Sequence, residues 1–108
     1  MAFQVLLTED ALQDLREIDT WITRHDGRTK ADHVLARLEE ALVSLRELPH
    51  RGHHPPELVS MGVREYREVF FKPYRIIYRA RGKKVFVYLV ADGRRDMQDL
   101  LAARLLRG

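Results

Sequence analysis

The residues of this chain best placed to do chemistry are arginines. Tyr74-Arg-Ile-Ile-Tyr-Arg-Ala-Arg81 alternates polar and apolar positions. In an extended strand successive side chains point to opposite faces. Arg75, Arg79 and Arg81 therefore share one face with Ile77, while Tyr74, Ile76, Tyr78 and Ala80 take the other. One face is core and the other is basic. The basic face is either a solvated sheet surface or a clamp for phosphate or carboxylate, which the planar guanidinium fork suits. A second pair, Arg94 and Arg95, stands in Asp92-Gly-Arg-Arg-Asp96. There Gly93 allows a sharp exit and Asp96 offers a helix cap. Arg75, Arg79, Arg94 and Arg95 are the candidate target-binding residues.

Other chemistries find little support. His50, His53 and His54 lie close together in Pro-His-Arg-Gly-His-His-Pro-Pro-Glu57. Zinc needs ligands that converge and are held from behind. A proline-rich loop in a chain without cysteine supplies neither, so these histidines read as a polar loop, and no metal is expected. Most carboxylates sit on helical faces opposite the apolar stripes. Ser44 and Ser60 are the only serines, and no Gly-x-Ser-x-Gly elbow surrounds them. No glycine-rich phosphate loop follows a strand. No cofactor is expected.

The elements that hold the arginines follow from periodicity. Phe3 to Thr8 is a short apolar strand. Thr8 has the side chain to cap a helix, and Leu12, Leu15, Ile18 and Ile22 then recur at helical spacing with Trp21 alongside. Asp26-Gly27 ends that helix. Thr29 and Asp32 have capping-box spacing for the next one. Its stripe runs through Ala31, Val34, Leu35, Leu38, Ala41, Leu42, Leu45 and Leu48 to a stop at Pro49. So short a turn makes the two helices antiparallel neighbours. Residues 49–57 read as a surface loop. The period then becomes two: strands over Arg64–Phe71, Tyr74–Arg81 and Val85–Ala91, joined by tight turns, make an antiparallel meander. Val85–Ala91 is apolar throughout, as a strand covered on both faces would be. Asp96 caps a closing helix, Met97–Leu106. The expected fold is α+β: an N-terminal strand, then an antiparallel two-helix hairpin packed on a small, mainly antiparallel sheet, in the order β-α-α-β-β-β-α.

At 108 residues the chain suits a single domain over residues 1–108. The absence of cysteine fits a reducing compartment. The start of the chain lacks a basic, apolar leader pattern, and no apolar run reaches membrane length. A cytoplasmic protein with no membrane partner is expected. Charge is uneven. Residues 1–48 hold six Lys/Arg against ten Asp/Glu, a net of −4; residues 63–84 hold eight Lys/Arg against two Glu, a net of +6. An acidic face and a basic face on one domain follow, the latter attractive to nucleic acid, a ribosome or an acidic protein.

In order along the chain, Thr8-Glu-Asp-Ala-Leu-Gln-Asp-Leu15, Leu48-Pro-His-Arg-Gly52, Val63-Arg-Glu-Tyr-Arg67, Pro73-Tyr-Arg-Ile-Ile-Tyr-Arg79 and Val85 through Asp96 resemble the RelE/ParE toxin superfamily of type II toxin–antitoxin systems. The resemblance implies a helical hairpin on a small antiparallel sheet. It also implies growth arrest by the free toxin and neutralisation by a cognate, ParD-like antitoxin in a hetero-oligomer. RelE-like members cleave mRNA inside the ribosome with sheet arginines and lysines plus a tyrosine on the C-terminal segment; ParE-like members poison DNA gyrase. Arg75 and Arg95 match the basic positions and would be the catalytic residues of an RNase. However, residues 89–108 contain neither tyrosine nor histidine, and the ending resembles ParE-like tails. The ParE-like branch is favoured; the alternatives are a ribosome-dependent mRNA endoribonuclease or an inactive antitoxin-binding module.

The closing helix is shorter than the roughly 12–15 residues that an isolated helix needs for marginal stability, so it must lean on something. Met97, Leu100, Leu101 and Leu105 supply its apolar side, and Arg104 and Arg107 keep the tail basic. These four apolar residues either dock the antitoxin or target, or complete the chain's own core.

Overall fold

Thr8 turns the chain from strand to helix. Its hydroxyl accepts the Ala11 amide at 3.1 Å, satisfying one of the donors that a helix start leaves open. Glu9 and Asp10 add negative charge to the same turn, which the helix dipole favours. The computed structural model describes residues 2–106, so Arg107 lies outside the described residues. Before Thr8 lies β1 (Gln4–Leu7) and after it α1 (Glu9–Asp26). Gly27, at φ 94°, closes α1 in a conformation that costs glycine least.

α2 (Arg28–Ser44) begins on the next residue. This one-residue connection defeats the capping box expected of Thr29 and Asp32. The helix is already under way at Arg28, Gly27 occupies the cap without a side-chain bond, and Asp32 instead accepts from Arg28 Nε at 2.9 Å.

The remaining elements are α3 (Pro56–Val59), β2 (Arg67–Phe71), β3 (Tyr74–Arg81), β4 (Lys84–Asp92) and α4 (Met97–Leu101), which continues in wider π-helical turns over Ala102–Leu106. Several boundaries differ from expectation; α2, expected to run on to Pro49, already ends at Ser44 and leaves Leu48 exposed. The stretch read as loop, residues 49–57, runs into the single turn α3, which starts inside it at Pro56, whose fixed φ suits a first helical position, and is anchored just beyond it by the fully buried Leu58. β2 starts at Arg67 rather than Arg64.

The sheet order is β1-β4-β3-β2. β3 runs antiparallel to both β2 and β4, and β1 lies parallel to β4. β4 is therefore an inner strand, as its apolar run requires. Register slips between Ile77 and Tyr78, whose partners are Leu89 and Val87. Tyr88 is the extra residue, so the neighbours Tyr88 and Leu89 both reach the second apolar cluster.

Two cores result, one on each face. The hairpin packs Ala11, Ile22, Leu38 and Leu42 against Val69, Ile76, Tyr78, Val85 and Val87. The opposite face carries Leu58, Tyr66, Ile77, Leu89 and Ala91 under Met97 and Leu101. Among the described residues no helix is long and apolar enough to cross a membrane.

Candidate functional site

Alternation in β3 takes Arg75 away from the hairpin core, as expected, but not into solvent. The residue is 8 % exposed. Its Nη1 and Nη2 donate to Glu57 Oε2 and Oε1 at 2.8 and 2.7 Å, and its Nε donates to Glu68 Oε1 at 2.6 Å. Phe70 lies beneath the guanidinium, 6.0 Å from its carbon to the ring centre. Two carboxylates hold the Arg75 pKa well above its ordinary value, Glu57 contributing most. Arg75 in turn holds the Glu57 carboxyl below the usual range. The expectation of an Arg75 open to a target on the basic face is therefore corrected: the side chain is buried and paired. Burial forces the charge to be paired, and α3 and β2 supply the pairs.

Glu68 closes the network. It is 1 % exposed, and its Oε2 lies 2.9 Å from His53 Nε2. His53 stacks on Phe70 with ring centres 5.2 Å apart. His54 Nδ1 turns to the Tyr66 carbonyl at 3.0 Å, and His50 meets the Phe3 ring edge-on. The three loop histidines thus point to three different places. Glu57 and Glu68 were not singled out from sequence. Glu68 had a signal, since a carboxylate inside an alternating strand either faces water or meets a cation; only the β2–β3 register, with Glu68 opposite Ile77, puts it on the Arg75 face.

The other arginines remain at the surface. Arg79 is partly exposed and 3.6 Å from Glu65. Arg94 is exposed and grips Asp92, with Nη2 2.6 Å from Oδ2, which keeps the Asp92 carboxyl below its usual range. Arg95 is exposed, and among the described residues its side chain bonds no protein group. Gly93 makes this turn possible. Its amide donates to the Pro73 carbonyl at 2.7 Å, and a Cβ there would stand 2.8 Å from the Arg75 side chain. Arg94 and Arg95 thus come together at one end of the sheet, Arg75 lies sealed behind them, and Arg79 sits further along β3.

The apolar side of the closing helix is turned inward. Met97 and Leu101 are buried, and Leu100 and Leu105 are partly buried against the same cluster. Of the two readings left open for these four residues, the structure shows the second: they complete the chain's own second core, packed with Leu58, Ile77 and Leu89 on that face.

An open apolar surface lies elsewhere. β1 is an edge strand, and between it and α2 runs a groove of about 830 Å³. Phe3, Val5 and Leu7 line one side; Leu35, Leu42 and Val43 line the other. Val43 is 52 % exposed. An edge strand beside an apolar trough suits a partner segment that adds backbone hydrogen bonds and buries alternate side chains.

A family model described as the ParE toxin of the type II toxin–antitoxin system parDE matches residues 5–97. No curated protein matches. Among solved structures, a chain of the chromosomal ParDE toxin–antitoxin system from P. aeruginosa superposes with a TM-score of 0.70 at 19 % identity, covering 84 % of this chain and 96 % of that one. A mutant of the E. coli toxin RelE in the free state superposes with a TM-score of 0.65 at 18 % identity, covering 99 % and 100 % respectively. At such identities the two structures speak for the fold, and the family model speaks for the lineage.

Proposed function

We propose a function from one premise: this chain belongs to the ParE toxin family of type II toxin–antitoxin systems. In the reading we favour, the free chain arrests growth in the cytoplasm by poisoning DNA gyrase, without cutting RNA, and a cognate antitoxin neutralises it in a hetero-oligomer.

The observation that carries the choice of branch is the state of Arg75. Messenger cleavage needs groups that activate a ribose hydroxyl, stabilise the charged phosphate and protonate the leaving oxygen. Arg75 is the sheet arginine matching the RNase pattern, and both Glu57 and Glu68 already neutralise it. A phosphate would have to displace two carboxylates from a buried guanidinium. The tail offers no tyrosine or histidine as acid. Target contact then falls to Arg79, Arg94 and Arg95. The groove between β1 and α2 is the surface that an amphipathic antitoxin segment fits, its apolar side chains entering the trough and its backbone extending the sheet.

Purified chain is tested in gyrase supercoiling and in translating ribosomes. Loss of supercoiling with intact mRNA, restored by antitoxin, is the expected result. Codon-phased cleavage of ribosome-bound mRNA by a chain that leaves gyrase untouched would move it to the other branch.

A further inference from the structure

The apolar stripe of α1 goes to the core through Ala11, Leu15, Ile18 and Ile22. Trp21 falls beside that stripe and stays 58 % exposed. It is held in place all the same. The His25 ring stacks on the indole at 4.1 Å, and His25 Nδ1 lies 2.7 Å from the Trp21 carbonyl. Across from Trp21 a cleft of about 320 Å³ opens between α1 and the Gly93 turn, with Ile18 and Tyr74 in its lining and Glu17, Asp92, Arg94 and Arg95 around them. Burial, reinforced by Asp92, pushes the Tyr74 phenol above its usual pKa, so the phenol stays neutral near pH 7.

We propose that this cleft is a protein-recognition site that receives one bulky apolar or aromatic side chain of a partner, together with a carboxylate beside it. Trp, Tyr and Arg in one place is the composition that carries most binding energy at protein interfaces. The volume sits at the small end of ligand pockets, room for a single side chain. The charges select the neighbour of that side chain. Asp92 is occupied by Arg94, which leaves Arg95 as the unengaged cation. A nucleic-acid strand fits worse, because a run of phosphates would also meet the Glu17 carboxylate, whereas a single carboxylate needs only Arg95. The site does not depend on gyrase being the target, and its test reads binding rather than poisoning.

Trp21 is the only tryptophan, so its fluorescence reports on this cleft. The full chain is titrated with a capped tripeptide of phenylalanine between two glutamates, with the lysine-flanked analogue, and with oligothymidine. The acidic peptide should give a saturable blue shift and bind about 1.5-fold to fivefold more tightly than the basic one, the range that one exposed ion pair supplies. With a dansylated acidic peptide followed by anisotropy, Trp21→Ala should weaken binding by about tenfold or more, as loss of an interface anchor does. Arg95→Glu, a surface change that keeps the fluorophore, should reverse the order of the two peptides. No saturable shift at millimolar peptide, or equal binding of both peptides, overturns the proposal. A stronger response to oligothymidine than to the acidic peptide also overturns it and marks a nucleic-acid surface.

Discussion

Arg104 lays its guanidinium across both carboxylate oxygens of Asp14, 90 positions earlier, at 2.9 and 3.0 Å. The same guanidinium donates to the Tyr88 carbonyl at 2.7 Å, and Asp14 accepts the Val90 amide at 2.9 Å. One ion pair thus ties the last helical turns to α1 and to the inner strand β4. The tail is built into the fold, which sets the consequence of removing it.

Truncation after Asp96 should cost the cooperative unfolding transition rather than toxicity alone. It removes Met97 and Leu101, each worth about 1.5–3 kcal/mol when fully buried, and uncovers Leu58, Ile77 and Leu89. Arg104→Ala alone should cost about 1.5–3 kcal/mol, the value of hydrogen bonds to a charged group. Urea unfolding followed by circular dichroism measures both. A truncated chain as stable as the parent would contradict the assignment of this helix to the core.

Arg75→Ala should destabilise by about 3–5 kcal/mol, because it leaves Glu57 and Glu68 without their cation in a buried site. The pair also predicts a pH dependence. Arg75 lowers the Glu57 pKa in the folded state, so this contribution is complete above the unfolded value, about 4.3, and is lost as pH falls through the lower folded value. Thermal melts from pH 6 to pH 3 should therefore show a smaller acid loss in Glu57→Gln than in the parent. Equal acid slopes would remove Glu57 from the account.

Gly52→Ala should lower stability by about 1–3 kcal/mol, the usual cost of forcing extra volume into a packed site. A Cβ at this position would stand 2.5 Å from the Glu68 carbonyl oxygen and 2.7 Å from the Tyr78 hydroxyl. The first is backbone of β2 and cannot swing aside. The Gly52 amide also donates to that hydroxyl at 3.1 Å. A shift of the urea midpoint at constant slope is the expected reading; an unchanged midpoint would mean that the loop moves freely away from the sheet.

Periodicity makes most of the fold legible in the sequence. The unbroken run Val85–Ala91 marked the inner strand, and Thr8, Gly27 and Asp96 marked helix ends. Pairing partners were not legible. That β1 lies parallel to β4 depends on where the hairpin returns the chain, which no local pattern records. Arg75 was misread for the same reason. Alternation assigns a face, but whether that face is wet depends on α3 and α4 closing over it, and α3 was hidden in a segment whose prolines suggested loop. Trp21 was visible only as a neighbour of the stripe, since the cleft that it walls is closed by Asp92 and Arg95, some 70 positions downstream.

The last prediction separates the surface arginines from the buried one. Arg79, Arg94 and Arg95 make few bonds among the described residues: Arg79 lies 3.6 Å from Glu65 and beside the Tyr66 hydroxyl, Arg94 pairs within its own turn, and the Arg95 side chain bonds no protein group. Their replacement by alanine should leave the melting transition essentially where it is. If they carry the target contact, the triple variant should accumulate as folded protein and arrest growth far more weakly than the parent. It should still bind antitoxin, for which the groove between β1 and α2 is the proposed seat. Induction in antitoxin-free cells, with a soluble-protein blot and a pull-down by antitoxin, measures all three. A folded triple variant that arrests growth as strongly as the parent would refute the basic-face reading. An unfolded one would mean that these arginines serve the fold, as Arg75 does.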